Sequence, residues 1–269
     1  MKLQKVVTAL LLVTLTLIAG TCFAAEEEGK LIDTIQKRGV LRVGMDIFKP
    51  WAMKDSTGEL VGFEIDVARK LGSDMGVKVE FMPTAWDGII PALLTRRFDV
   101  VIGGMGITEK RRRKVDFTIP YDNGGQAIVA NKEKAEGMNT LEAFNTPGVE
   151  IAVKLGTTAA DAAKKTFPKA TLRYFDTEPA AYQELRNGKV AAVVSQAPKP
   201  AFEAIDYSDI LFTPVEGTFT QEPIGMALRK GDSISLAFLN SWITTNGQWL
   251  KERHHYWFET RDWVTDELR

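Results

Sequence analysis

Arg111 and the residues ahead of it carry the clearest chemistry in this chain of 269 residues. The run Phe98-Asp99-Val100-Val101-Ile102-Gly103-Gly104-Met105-Gly106-Ile107-Thr108 starts as a β-branched apolar stretch, the mark of a buried strand. It then passes into glycines that let backbone approach another group closely. Thr108 and Arg111, three residues apart, fall where a helix could begin. Exposed backbone N–H groups, a hydroxyl and a guanidinium fork can together hold a carboxylate. The same residues also read as a strand, an ordinary turn and a solvated basic helix of Arg111, Arg112, Arg113 and Lys114. A second candidate anion cradle is Gly156-Thr157-Thr158, which precedes an alanine-rich helix whose first N–H groups lack partners inside the helix. A plain N-cap by Thr157 or Thr158 is compatible with that role. Asp46, after an apolar strand, could meet a cationic or amide group or simply close a turn. Phe48 and Trp51 read equally as a pocket wall or as core, and Lys154 as facing a cleft or solvent.

No clustering of His, Cys or paired carboxylates points to metal chemistry, and the sequence implies no cofactor. His254 and His255 are adjacent in a helical tail, so they point to different faces and make a poor metal pair. Met1 to Lys5 carry two lysines, Val6 to Gly20 are apolar, and Cys22-Phe23-Ala24 offers small residues for cleavage. Residues 1–24 therefore read as a secretory signal peptide, too short to span a bilayer as an anchor. Lipid modification at Cys22 is the alternative, disfavoured by Thr21 before it. Without Lys2 and Lys5 the chain holds 32 basic and 35 acidic residues, a net charge of −3 that argues against nucleic acid as partner. The exported chain then has no cysteine, so its core must hold it without disulfides. With 45% hydrophobic residues, about 245 residues suffice for one large domain or two lobes.

The elements that must position these residues alternate. Leu31 to Arg38 reads as a helix ended by Gly39, and Val40 to Met45 as a strand. Phe63, Val67 and Leu71 place an amphipathic helix over Gly62 to Met75. A strand at Val77 to Met82, a helix around Ile89 to Leu94 and a strand at Asp99 to Gly103 complete βαβαβ, hence a parallel sheet flanked by helices. After a polar stretch, Lys132 to Thr146, the pattern resumes. Strands are predicted at 149–153, 170–175, 190–194, 210–213 and 223–228, with helices at 158–165, 179–186 and 197–205. The aromatics Phe238, Trp242, Trp249, Tyr256, Trp257, Phe258 and Trp263 read as packing.

Five ordered blocks carry a resemblance to a known family. They are Gly62-Phe63-Glu64-Ile65-Asp66-Val67-Ala68, Trp86-Asp87-Gly88-Ile89-Ile90-Pro91-Ala92-Leu93, the Gly103–Arg111 stretch running on to Phe117 and Pro120-Tyr121, Lys154-Leu155-Gly156-Thr157-Thr158, and Arg186-Asn187-Gly188-Lys189-Val190. The chain resembles the periplasmic amino-acid-binding proteins, the polar-amino-acid group of solute-binding proteins (family 3) that feed ABC importers. The resemblance implies an α/β, two-lobed periplasmic binding protein fold of type II, each lobe a mostly parallel sheet flanked by helices. Lobe one would be discontinuous, 31–127 plus 223–269, and lobe two 132–219. Hinge crossings would lie near Gln126 to Asn131 and Phe219 to Gly225. Arg111 matches the family's carboxylate-binding arginine, Gly104 its backbone contact and Trp86 the aromatic that stacks on the ligand.

Two positions depart from that pattern. Gly106 stands where the family has a threonine or serine hydroxyl. Gln196 stands where it has the aspartate that pairs with the ligand's α-ammonium. Either another acid substitutes, Asp46 being the nearest candidate, or the ligand is a small organic acid or modified amino acid. The resemblance implies a periplasmic, monomeric, non-enzymatic protein that captures a small carboxylate, hands it to a membrane permease and closes its cleft on binding. The alternative is a cyclohexadienyl dehydratase-like enzyme on the same scaffold. Those enzymes place a glutamate near the position of Ala159 here.

Overall fold

The structure, a computed structural model, describes residues 30–264. The predicted signal peptide and Cys22 lie outside the described residues. Among those described, no helix is long and apolar enough to cross a membrane.

The chain opens with α1 (Leu31–Arg38), β1 (Val40–Met45) and a small hairpin, β2 (Met53–Lys54) and β3 (Leu60–Val61). Helix α2 (Phe63–Asp74), β4 (Lys78–Pro83), α3 (Ile89–Leu94), β5 (Val100–Val101), α4 (Glu109–Arg112) and β6 (Asp116–Phe117) follow. Next come β7 (Asp122–Gly124), β8 (Gln126–Asn131), α5 (Leu141–Phe144), β9 (Glu150–Lys154), α6 (Thr158–Thr166), β10 (Thr171–Phe175), α7 (Glu178–Arg186), β11 (Ala192–Gln196), α8 (Lys199–Asp206) and β12 (Leu211–Phe212). The return is made by β13 (Glu222–Ile224), β14 (Ala227–Leu228), α9 (Ser233–Thr245) and α10 (Gly247–His254).

These strands assemble into two five-stranded sheets. The first has the order β4-β1-β5-β14-β6, with β1 parallel to both β4 and β5 and β14 antiparallel to its neighbours. The second has the order β10-β9-β11-β8-β12, with β9 parallel to β10 and β11 and β8 antiparallel to β11 and β12. Between them β7 pairs antiparallel with β13, Asp122 opposite Ile224 and Gly124 opposite Glu222. The two chain crossings are thus hydrogen-bonded to each other. Residues 126–131, expected as a crossing, instead form a wholly buried strand of the second sheet. The predicted strand 223–228 is broken into β13 and β14 at Gly225 and Met226, because its two halves pair with different partners.

The sequence pattern explains the individual elements. Helix α2 buries Phe63, Val67 and Leu71 at helical spacing against the first sheet. Gly62 before it is fixed by geometry: its φ is +133°, and a Cβ there would stand 2.4 Å from the Trp51 carbonyl oxygen. Helix α6 buries Ala159, Ala160 and Ala163, small residues that let it sit close to its sheet. The C-terminal segment closes the first core. Trp242, Trp257, Phe258 and Trp263 join Trp51 and Phe63 in one buried cluster, each large side chain contributing about 1.5–3 kcal/mol. The predicted packing role of these aromatics therefore holds. Phe202, from α8 beside the second sheet, enters the same cluster and meets Trp263 with ring centroids 6.0 Å apart.

Candidate functional site

A cleft between the sheets encloses ≈ 450 Å³ of atom-free space, its open mouth included. Its walls come from the carboxyl ends of strands and the amino ends of helices. Asp46 follows β1, Gly103 and Gly104 follow β5, Lys154 ends β9, and Gln196 ends β11. That is where open α/β sheets place ligands.

Arg111 lies in α4 and is only 9% exposed. Thr108 caps that helix, its hydroxyl accepting from the Arg111 N–H at 3.2 Å. The guanidinium sits 5.6 Å over the Trp86 ring. Its Nη1 donates to the Gly106 carbonyl at 2.9 Å and its Nη2 to the Gly156 carbonyl at 3.4 Å, the latter across the cleft. Two of five N–H groups are thereby fixed, leaving the rest of the fork for an anion. Burial lowers the Arg111 pKa, with the negative charges of Glu222 and Asp161 opposing.

The glycine turn is held from behind. Gly104 has φ +67°, and a Cβ there would come within 3.1 Å of the Trp51 ring. Its N–H donates to Glu64 Oε1 at 2.7 Å, and the Tyr121 hydroxyl donates to the same carboxylate at 2.8 Å. Glu64 is wholly buried and its pKa rises to about 8, chiefly through desolvation. One carboxyl thus ties together two of the sequence blocks. Gly104 lines the cleft with its N–H already engaged.

On the opposite wall, Thr157 is an N-cap and a wall residue at once. Its hydroxyl accepts from the Ala160 N–H at 3.2 Å and donates to the Lys154 carbonyl at 2.7 Å. Helix geometry leaves the N–H groups of Thr158 and Ala159 without intrahelical acceptors. The Thr158 hydroxyl accepts from Gln126 Nε2 at 3.1 Å. Gln126 and Gln196 are register partners across β8 and β11, and both line the cleft.

Eight of the ten site residues expected from sequence form the cavity wall: Asp46, Phe48, Trp86, Gly104, Arg111, Thr157, Thr158 and Gln196. Gly106 and Gly156 do not line it; their carbonyls hold the guanidinium instead. Trp51 is core, packed 4.5 Å from Phe258, whereas Phe48 faces the cleft. Lys154 resolves toward the cleft, its Nζ donating to Asp46 Oδ2 at 2.6 Å. Asp46 is therefore already paired, across the cleft.

Sequence reading missed Glu178 and Gln126, which line the cleft, and Glu222, which stands beside Gly106. Glu178 is the first residue of α7 and lines the cleft at 8% exposure. Its pKa rises to about 7 through burial, against the pull of Lys154 and Lys199. Its Oε2 is buried without a hydrogen-bond partner, as are Gln126 Oε1, Gln196 Nε2 and Glu222 Oε2. Unpaired polar atoms of this kind are costly unless something fills the space between them. The only signal for Glu178 in sequence is its place three residues after the predicted strand 170–175, where a strand end meets a helix start.

A cleft of this form, lined from two sheets joined by paired crossings, has matches among known proteins. Residues 41–260 match the model for bacterial extracellular solute-binding proteins, family 3. The chain belongs to that family. Its fold is the two-lobed type II periplasmic binding protein architecture, as in the solved structure of the ancestral amino acid-binding protein AncCDT-1, a precursor of cyclohexadienyl dehydratase. That structure is 42% identical, with a TM-score of 0.77, and the match covers 86% of this chain and 100% of that one. The L-cystine-binding protein TcyJ of Escherichia coli K12 is 28% identical over 228 residues, 84% of this chain and 85% of the relative. The cyclohexadienyl dehydratase of Pseudomonas aeruginosa is 26% identical over 261 residues, 94% of each.

Proposed function

We propose that this family member captures an α-amino acid, or a close carboxylate relative, for an ABC importer by closing its two lobes on the ligand. The observation that carries this reading is Arg111. It is a buried guanidinium pinned by carbonyls from both sides of the cleft, stacked on Trp86 and facing the unpaired amino end of α6. A carboxylate placed there gains charge-assisted bonds worth about 1.5–3 kcal/mol each. Because both lobes contribute donors, the ligand favours the closed state by its differential affinity for it. In this reading residues 31–124 with 223–269 form one lobe and 126–219 the other, because β8 belongs to the second sheet. Residues 1–24 direct export to the periplasm, and a monomer carries one ligand to a membrane permease.

The test is a thermal-unfolding screen against the twenty proteinogenic L-amino acids, L-cystine and small organic acids. A ligand at a hundredfold above its Kd adds about 2.7 kcal/mol of stability. No shift with any of them would refute the reading.

A second reading is favoured by one observation: Glu178 is a buried acid with pKa about 7 in the cleft, suited to donate a proton. A dehydratase acting on prephenate could use it, although Ala159 leaves the helix start itself without an acid. Product formation from prephenate, lost in Glu178→Gln, would establish this enzyme activity. Its absence leaves the binding role alone.

A further inference from the structure

The reading of the cleft as an amino-acid site leaves one charge unaccounted for. An α-amino acid brings an ammonium one carbon from its carboxylate, so the group that holds it must stand beside Arg111. The family position for that anion is Gln196, which offers an amide whose Nε2 is buried and unpaired. Asp46 is committed to Lys154. Glu178 is surrounded by the charges of Lys154, Lys199, Glu203 and Asp46.

Glu222 on the crossing strand β13 has the missing properties. Gln126 Nε2 and the Thr220 hydroxyl donate to its Oε1 at 3.0 and 3.1 Å, which fixes the carboxylate plane. Its Oε2 is buried and has no hydrogen-bond partner. That oxygen lies beside Gly106. A Cβ built on Gly106 would meet Glu222 Oε2 at 3.0 Å, Thr158 Cγ2 at 3.5 Å and Arg111 Nη1 at 3.6 Å. The carboxylate thus takes up the space that a serine or threonine side chain at 106 would need. The two departures, Gly106 and Gln196, become a single rearrangement. One hydroxyl and one strand-end aspartate are absent, and one carboxylate on the crossing strand stands next to the guanidinium.

We propose that Glu222 holds the α-ammonium of the bound amino acid through Oε2, with Gln126 Oε1 as a second acceptor. This rests on the proposed function and places the ammonium contact on a crossing strand rather than on the second lobe. Breaking one side of a buried ion pair is strongly unfavourable, so the contact should dominate selection for a free ammonium.

The experiment compares wild type and Glu222→Gln by calorimetry. Its probes are the tightest-binding member of the L-amino acid and L-cystine panel and the des-amino analogue of that member (5-guanidinopentanoate for L-arginine, 6-aminohexanoate for L-lysine). Wild type is expected to prefer the amino acid by about a hundredfold. In Glu222→Gln that preference should collapse to below tenfold, with the analogue within threefold of its wild-type affinity, which also reports a folded variant. Wild type that binds amino acid and analogue equally overturns the proposal whatever the variant does. So does a variant that keeps the preference, or one that weakens both ligands alike. In those three cases the binding reading survives, whereas a wild-type protein that binds no member of the panel removes that reading and this inference together.

Discussion

Replacing Glu178 by glutamine removes a carboxyl that folding forces into the wall of the cleft. Its pKa moves from 4.5 to about 7 on folding, because burial outweighs the attraction of Lys154 and Lys199. At about 1.4 kcal/mol per decade the displacement corresponds to about 3 kcal/mol. The folded state holds the proton more tightly than the unfolded chain, so protonation favours folding. Below pH 4.5 both states are protonated and the carboxyl carries no penalty. Between pH 4.5 and 7 the unfolded chain ionises first, and wild-type stability falls. Above pH 7 both states are ionised and the penalty is constant. Glutamine has no such titration. The advantage of Glu178→Gln over wild type should therefore grow from near zero at pH 4 to about 3 kcal/mol at pH 8. Urea unfolding of the unliganded proteins at intervals across that range measures it. Glu64, with a pKa of about 8, titrates in both proteins and cancels in the difference. Parallel stability curves for the two proteins would show that Glu178 is not desolvated as described.

Other outcomes follow from the packing. Trp51→Ala should cost about 3–5 kcal/mol, as expected for a large buried aromatic, whereas Phe48→Ala should cost much less and act on ligand affinity instead; chemical denaturation and calorimetry separate the two. Thr157→Ala removes a helix cap and should lower stability by about 1 kcal/mol in the same assay. Lys154→Met leaves Asp46 uncompensated and breaks a buried link across the cleft, so the unliganded protein should show a larger radius of gyration by solution scattering; an unchanged radius would mean that this pair does not hold the lobes.

Most of the architecture was legible because local signals agreed with it. The apolar spacing of Phe63, Val67 and Leu71 placed α2, and the residue types of 40–45 placed β1. Gln126–Asn131 was misread because an all-buried strand in the middle of a sheet shows no alternation, and its partners lie far along the chain. The β13–β14 break was hidden for a related reason: 223–228 reads as one apolar run, and only the partner strands divide it. In the cleft wall, Arg111 and Thr158 were placed from motif and spacing. Glu178, Gln126 and Glu222 were not, since each gains its role only from groups brought to it by the tertiary fold. Gly106 and Gly156 were identified for the right segment but serve through their carbonyls on the arginine rather than as cavity wall.

Calorimetric titration of Arg111→Ala beside Arg112→Ala, with the tightest-binding amino acid of the screen, bears most directly on the carboxylate clamp. Arg111→Ala should abolish measurable binding while Arg112→Ala, whose side chain is exposed, stays within about threefold of wild type. Equal losses in the two variants, or retained binding in Arg111→Ala, would contradict the account.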